Sequence, residues 1–152
     1  MIQRIQTVFL IIATVLMVFV VFMPIAQVIA PDDKVYELGF KGLLGSDGAF
    51  PTFSSVPLSI LIAICLGLCV TIILLFKRRM IQIRLSVINI VLLLGLQGLM
   101  YYYVRAAQVA TDGVASYTLL FIFPLATAVL VFLALRAIAR DEALVRSLDR
   151  LR

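Results

Sequence analysis

A chain of 152 residues that is 64% hydrophobic, only 14% charged and +1.18 in mean hydropathy falls outside the make-up of soluble domains and calls for lipid as its solvent. Residues 1–152 suffice for a single domain of four spans with modest connections, and leave no room for a separate soluble catalytic unit. The net charge of +5 is better explained by membrane topology than by nucleic acid, and the lack of histidine excludes histidine metal sites, histidine-activated nucleophiles, histidine-ligated haem and histidine proton relays.

The first apolar stretch covers about residues 7–29, after Arg4 and before Pro31, Asp32 and Asp33. It is long enough to cross roughly 30 Å of hydrocarbon at about 1.5 Å per residue. Val28-Ile29-Ala30 loosely resembles a secretory cleavage site, but the length of the run and Pro31 just beyond it favour a retained anchor. Pro24 lies in the outer half of this run, where it would kink the span.

Residues 30–56 form the sizeable segment outside lipid. The alternation Val35-Tyr36-Glu37-Leu38-Gly39-Phe40, with Gly42, Gly45 and Gly48 to turn the chain, suits a short β-hairpin; an irregular loop fits equally well. The second span, about 57–76, opens with Pro57 and closes on Lys77, Arg78 and Arg79. The third, about 85–104, ends in Tyr101, Tyr102 and Tyr103, suited to an aromatic belt, and the fourth covers about 116–135 with Pro124 as a second kink. A charged tail, 136–152, follows.

Basic residues set the orientation. Arg4, the group Lys77, Arg78, Arg79 and Arg84, and the tail residues Arg136, Arg140, Arg146, Arg150 and Arg152 fall on one side, against Lys34, Lys41 and Arg105 on the other. This bias places both ends in the cytoplasm of a bacterial inner membrane. The expected fold class is therefore an all-α membrane protein, a four-transmembrane-helix bundle with N-in/C-in topology and a cytoplasmic helical extension.

Four constellations stand out. Ser59, Ala63, Gly67 and Thr71 recur every four residues on the second helix, a stripe of small side chains that lets another helix approach; the general richness of membrane helices in small residues gives the same pattern. Gln82, Ser86, Asn89 and Gln97 share an arc of about 80° on the third helix. Amides are costly in hydrocarbon, so this stripe should face protein, either as plain interhelical hydrogen bonding worth about 0.6 kcal/mol per bond or as a polar lining for a ligand or partner. Cys65 and Cys69, one turn apart in an apolar run, read as small apolar filler. In the tail, Leu144, Leu148 and Leu151 share one helical face beside Arg146 and Arg150; a cytoplasmic partner and anionic headgroups are rival occupants of that surface.

No Asp, Glu, Lys or Arg sits in the middle of a span, which argues against pumps, proton-coupled carriers and voltage sensors. An enzyme would have to draw on Asp32, Asp33, Glu37, Asp47 or Asp112, whose spacing matches no catalytic arrangement, so neither catalytic residues nor metal ligands nor a cofactor is expected.

The opening Met1-Ile2-Gln3-Arg4-Ile5-Gln6-Thr7, the central Lys77-Arg78-Arg79-Met80-Ile81-Gln82-Ile83-Arg84 and the closing Arg140-Asp141-Glu142-Ala143-Leu144-Val145-Arg146-Ser147-Leu148-Asp149-Arg150-Leu151-Arg152 resemble those of an uncharacterised four-helix inner-membrane family of Bacteroidota, a domain of unknown function. The resemblance covers essentially the whole chain. It implies a location and a topology, and no catalytic residues. The expected role is an accessory or assembly subunit of a larger membrane complex, such as one of envelope biogenesis or protein export, with the bilayer and other membrane subunits as partners and no nucleic acid. The alternative is a lipid or small-molecule binding protein with a cavity between kinked helices near Asn89 and Gln97.

Overall fold

The computed structural model describes residues 3–31, 34–45, 55–76 and 78–149, with backbone alone at residues 3–4, 45 and 144–149. In chain order come α1 (Gln3–Phe22), β1 (Ala26–Ile29), β2 (Val35–Gly39), β3 (Gly42–Gly45), α2 (Val56–Leu74), α3 (Arg79–Thr111), β4 (Val114–Tyr117), a short 3-10 helix (Leu119–Ile122) and α4 (Phe123–Asp149). Among the described residues four helices are long and apolar enough to cross a membrane. With roughly 1.5 Å per residue, α1 and α2 reach about 30 Å, α4 about 40 Å and α3 about 50 Å.

Each helix buries a seam whose members alternate three and four residues apart. On α1 these are Gln6, Leu10, Ala13, Met17 and Val20; on α2, Leu58, Ile62, Cys65, Cys69 and Ile72. The seam of α3 runs Gln82, Ser86, Asn89, Leu93, Leu96 and Met100, and that of α4 Val131, Ala134, Ile138 and Asp141. A mean spacing of 3.5 keeps a seam turned toward its neighbours in an up-down-up-down bundle of slightly inclined helices. In this ring α1 packs on α2 and α4, and α3 on the same two. The opposite faces are equally apolar: Val15, Phe19, Ile64, Val70, Leu94 and Phe132 are all exposed. A water-facing bundle would put polar groups there, so this surface has the chemistry of a hydrocarbon boundary.

All four strands gather at one end of the bundle in an antiparallel sheet of order β3-β2-β1-β4. The register pairs Ala26 with Leu38 on one side and with Tyr117 on the other, and Leu38 in turn neighbours Leu43. Ala26, Val28, Leu38 and Leu43 are buried, so one face of the sheet closes the bundle. The sheet is tied on by backbone hydrogen bonds from Ile25 N to Leu38 O at 2.7 Å and from Thr118 N to Ile25 O at 3.2 Å, and by the Ser59 hydroxyl donating to Phe40 O at 2.5 Å. Entry into β4 needs a sharp turn: Asp112 is left-handed with φ 46°, and a Cβ on Gly113 would lie 2.6 Å from Ile29 O.

These observations correct several boundaries. The first helix stops at Phe22, not near residue 29, because Pro24 offers no N–H to continue the ladder and Ile25 already bonds to β2. What reads as the last turns of the first span is β1. The expected hairpin is a three-stranded piece, β1 to β3, joined by β4 from the opposite connection. The start of the expected fourth span, near residue 116, is likewise strand, then 3-10 helix. Neither proline kinks a helix: Pro24 lies past the end of α1, and Pro124 is the second residue of α4, where a missing N–H costs nothing. The third helix is longer than expected at both ends, so Tyr101, Tyr102 and Tyr103 fall inside it; the first two are exposed and the third is buried.

Candidate functional site

At the end away from the sheet the core turns polar while keeping its spacing. Gln6, Gln82, Ser86, Asn89 and Asp141 are all buried and occupy seam positions that elsewhere hold Leu, Met or Val. Their hydrogen bonds lock neighbouring helices in register. Gln6 Nε2 donates to Asp141 Oδ2 at 2.7 Å, linking α1 to α4, and Gln82 Nε2 donates to Ile72 O at 3.0 Å, linking α3 to the end of α2. Asn89 Nδ2 donates to Cys69 Sγ at 3.1 Å, and Ser86 Oγ bonds back to Gln82 O at 2.8 Å within its own helix. A small cavity of about 120 Å³ opens beside this cluster, lined by Gln6, Thr7, Ile73, Phe76, Arg79 and Gln82 among others.

The amide stripe of the third helix thus faces protein, as its cost in hydrocarbon demands. Three of its members are spent on contacts inside the bundle. Gln97 is half-buried, and its Oε1, like Asn89 Oδ1, Gln108 Oε1 and Thr127 Oγ1, is a buried oxygen with no partner. Neither the small cavity beside the polar cluster nor the groove at the sheet end is lined by Asn89 or Gln97. Cys65 and Cys69 are free thiols in the buried seam of α2.

A larger groove of about 430 Å³ lies at the sheet end. One wall is the exit of α1, Val21 to Pro24; the other is the β2–β3 hairpin, with Gly39, Phe40, Gly42 and Leu44. Glu37 and its cross-strand partner Leu44 project from the same face of the sheet into this groove, and Lys41, in the hairpin turn, completes its polar edge. The Glu37 carboxylate accepts a hydrogen bond from Gln27 Nε2 at 3.1 Å. The tight turn depends on Gly42, whose φ of +111° and closeness to the Ser55 hydroxyl leave no place for a side chain.

The stripe of small residues on α2 does not build the bundle. Ala63 and Gly67 are exposed, a Cβ on Gly67 would meet nothing within 4 Å, and Thr71 satisfies its hydroxyl on Gly67 O at 2.7 Å. Ser59 is half-buried and serves the sheet instead. In the tail, Leu144, Arg146 and Leu148 lie on the backbone of α4, their side chains outside the described residues, as are Arg150 and Leu151 altogether. Asp47 is outside them as well. Among the described residues no group of three or more His, Cys, Asp or Glu side chains could hold a metal.

Sequence reasoning missed the Gln6–Asp141 pair and the groove. The first carried a signal, since both residues continue the three-and-four spacing of apolar positions on their helices. The second carried none, because its walls meet only when the hairpin folds back on α1.

A family model described as "Domain of unknown function (DUF4293)" matches residues 2–151. No match was found among curated proteins or among solved structures.

Proposed function

The chain belongs to the DUF4293 family, a domain of unknown function, and from that premise we propose that it is a non-enzymatic accessory subunit of a bacterial inner-membrane complex. With four spans, the distribution of Lys and Arg favours an orientation with the sheet on the outer side and both chain ends in the cytoplasm. Envelope biogenesis and protein export are settings that fit such a protein.

The observation that carries this reading is the length of α4. The Gln6–Asp141 bond sets α1 and α4 level with one another. From there α4 runs eight residues further, to Asp149. At about 1.5 Å per residue α4 continues roughly 12 Å beyond that bond. That extension carries Leu144, Arg146 and Leu148, whose spacing in the sequence is that of an amphipathic helix. Open space beside Gly67 and Ala63 supports a second contact, with a transmembrane helix of the partner.

Extraction of native membranes in mild detergent, followed by native mass measurement, tests the proposal. The expected result is a complex with a partner in fixed ratio, lost on Leu148→Glu while the chain itself stays folded. A chain that always emerges alone, in every mild detergent, rules the accessory role out.

A further inference from the structure

We propose that the groove between the exit of α1 and the β2–β3 hairpin is a binding site for a zwitterionic aminophospholipid, the phosphoethanolamine headgroup lying between Lys41 and Glu37. The proposal goes beyond the accessory role and rests only on the helices crossing a bilayer.

The groove sits where a lipid would meet it. α1 is about 30 Å long and its span closes at Phe22, so Phe22, Met23 and Pro24 lie at the level where hydrocarbon gives way to headgroups. Phe22 is 80% exposed, and Met23 and Leu44 are exposed beside it. This apolar rim continues the outward face of α1, formed by Ile11, Val15, Val18 and Phe19. An acyl chain lying along that face would bring its glycerol and headgroup to the groove mouth. The volume of about 430 Å³ lies in the range of small-molecule sites, ample for a headgroup and the first carbons of a chain.

Charge decides which headgroup. Lys41 and Glu37 line the same groove, both exposed. Among the described residues they form no ion pair with each other: the Glu37 carboxylate takes the Gln27 amide, and the Lys41 ammonium has no partner. A purely anionic head would gain Lys41 and be repelled by Glu37. A head carrying both a phosphate and an ammonium satisfies both, phosphate on Lys41 and ammonium on Glu37, and its primary amine can donate hydrogen bonds to the carboxylate. At this interface the two contacts are also less screened than they would be in open water.

The test reconstitutes the full chain in nanodiscs of equal parts phosphatidylethanolamine and phosphatidylglycerol, then reads lipid adducts retained on release by native mass spectrometry. One phosphatidylethanolamine per chain is expected to survive, with phosphatidylglycerol retained at least about fivefold less. Lys41→Ala with Glu37→Ala should remove this preference, and Glu37→Lys should turn it toward phosphatidylglycerol. Both positions are exposed on the hairpin, and circular dichroism verifies that the variants keep the wild-type helix content. Leu94→Ala, on the lipid-facing side of α3, should change nothing. Equal retention of the two lipids, no retained lipid, or a preference indifferent to both charges overturns the proposal. Failure to enter the disc at all would overturn the membrane reading and this site with it, whereas entry without the preference overturns the site alone.

Discussion

Single residues in this protein differ sharply in what they hold. Asp141 and Gln6, far apart in sequence, form a 2.7 Å buried bond that fixes the pairing of the first and last helices. Replacing such a polar seam by leucine would preserve burial and lose register, the usual reason for polar groups at core positions of bundles. Two glycines make the contrast between steric need and free space. Gly113 lies against Ile29, so Gly113→Ala must push apart β1 and the entry to β4, costing about 1–3 kcal/mol. Gly67→Ala meets open space and should leave the stability of the isolated chain unchanged or slightly raised. Thermal unfolding of the two variants in one detergent measures the difference, and equal losses would show that the close approach at Gly113 does not matter.

Among the elements, the helices were legible in the sequence and the sheet was largely not. Long apolar runs between charged clusters announce helices whatever surrounds them, because no other local structure satisfies the backbone in hydrocarbon. β1 hid inside such a run. Apart from Gln27, Ala26 to Ile29 are apolar like the residues before them, and Pro24 marked the break. What makes this stretch a strand is pairing on both sides, with β2 across a short turn and with β4 from the far end of α3. The central position of β1 has a measurable consequence. Its amides should exchange with solvent more slowly than those of edge strand β3 in a hydrogen-exchange experiment on the protein in detergent. Faster exchange in β1 than in β3 would contradict the strand order. The amide stripe of α3 was legible as a protein-facing surface, but its partners, Ile72 O and Cys69 Sγ, emerged only with the α2–α3 packing.

For the molecule as a whole, a naked apolar surface around a polar-ended core and a single capping sheet give the two ends different chemistry. Among the described residues Arg78, Arg79, Arg84, Arg136 and Arg140 lie toward the end opposite the sheet. If they face the cytoplasm, a membrane-impermeant thiol reagent will label Lys41→Cys in intact spheroplasts and reach Arg84→Cys only after permeabilisation. Cys65 and Cys69 are buried and stay silent in this assay. The reverse labelling pattern would invert the topology and move the sheet, the groove and the end of α4 to the wrong sides for the roles assigned to them.

Composition and hydropathy were sufficient for the helix count, the inward turn of the amides and the imbalance of basic charge, because each follows from the cost of exposing a local group to the wrong solvent. Tertiary structure alone decided where the first helix ends, that four strands from two separate connections form one sheet, which helix faces remain uncovered, and that Lys41 and Glu37 come to border one groove. Those outcomes depend on contacts between segments up to 135 residues apart, and no local preference encodes a partner that distant.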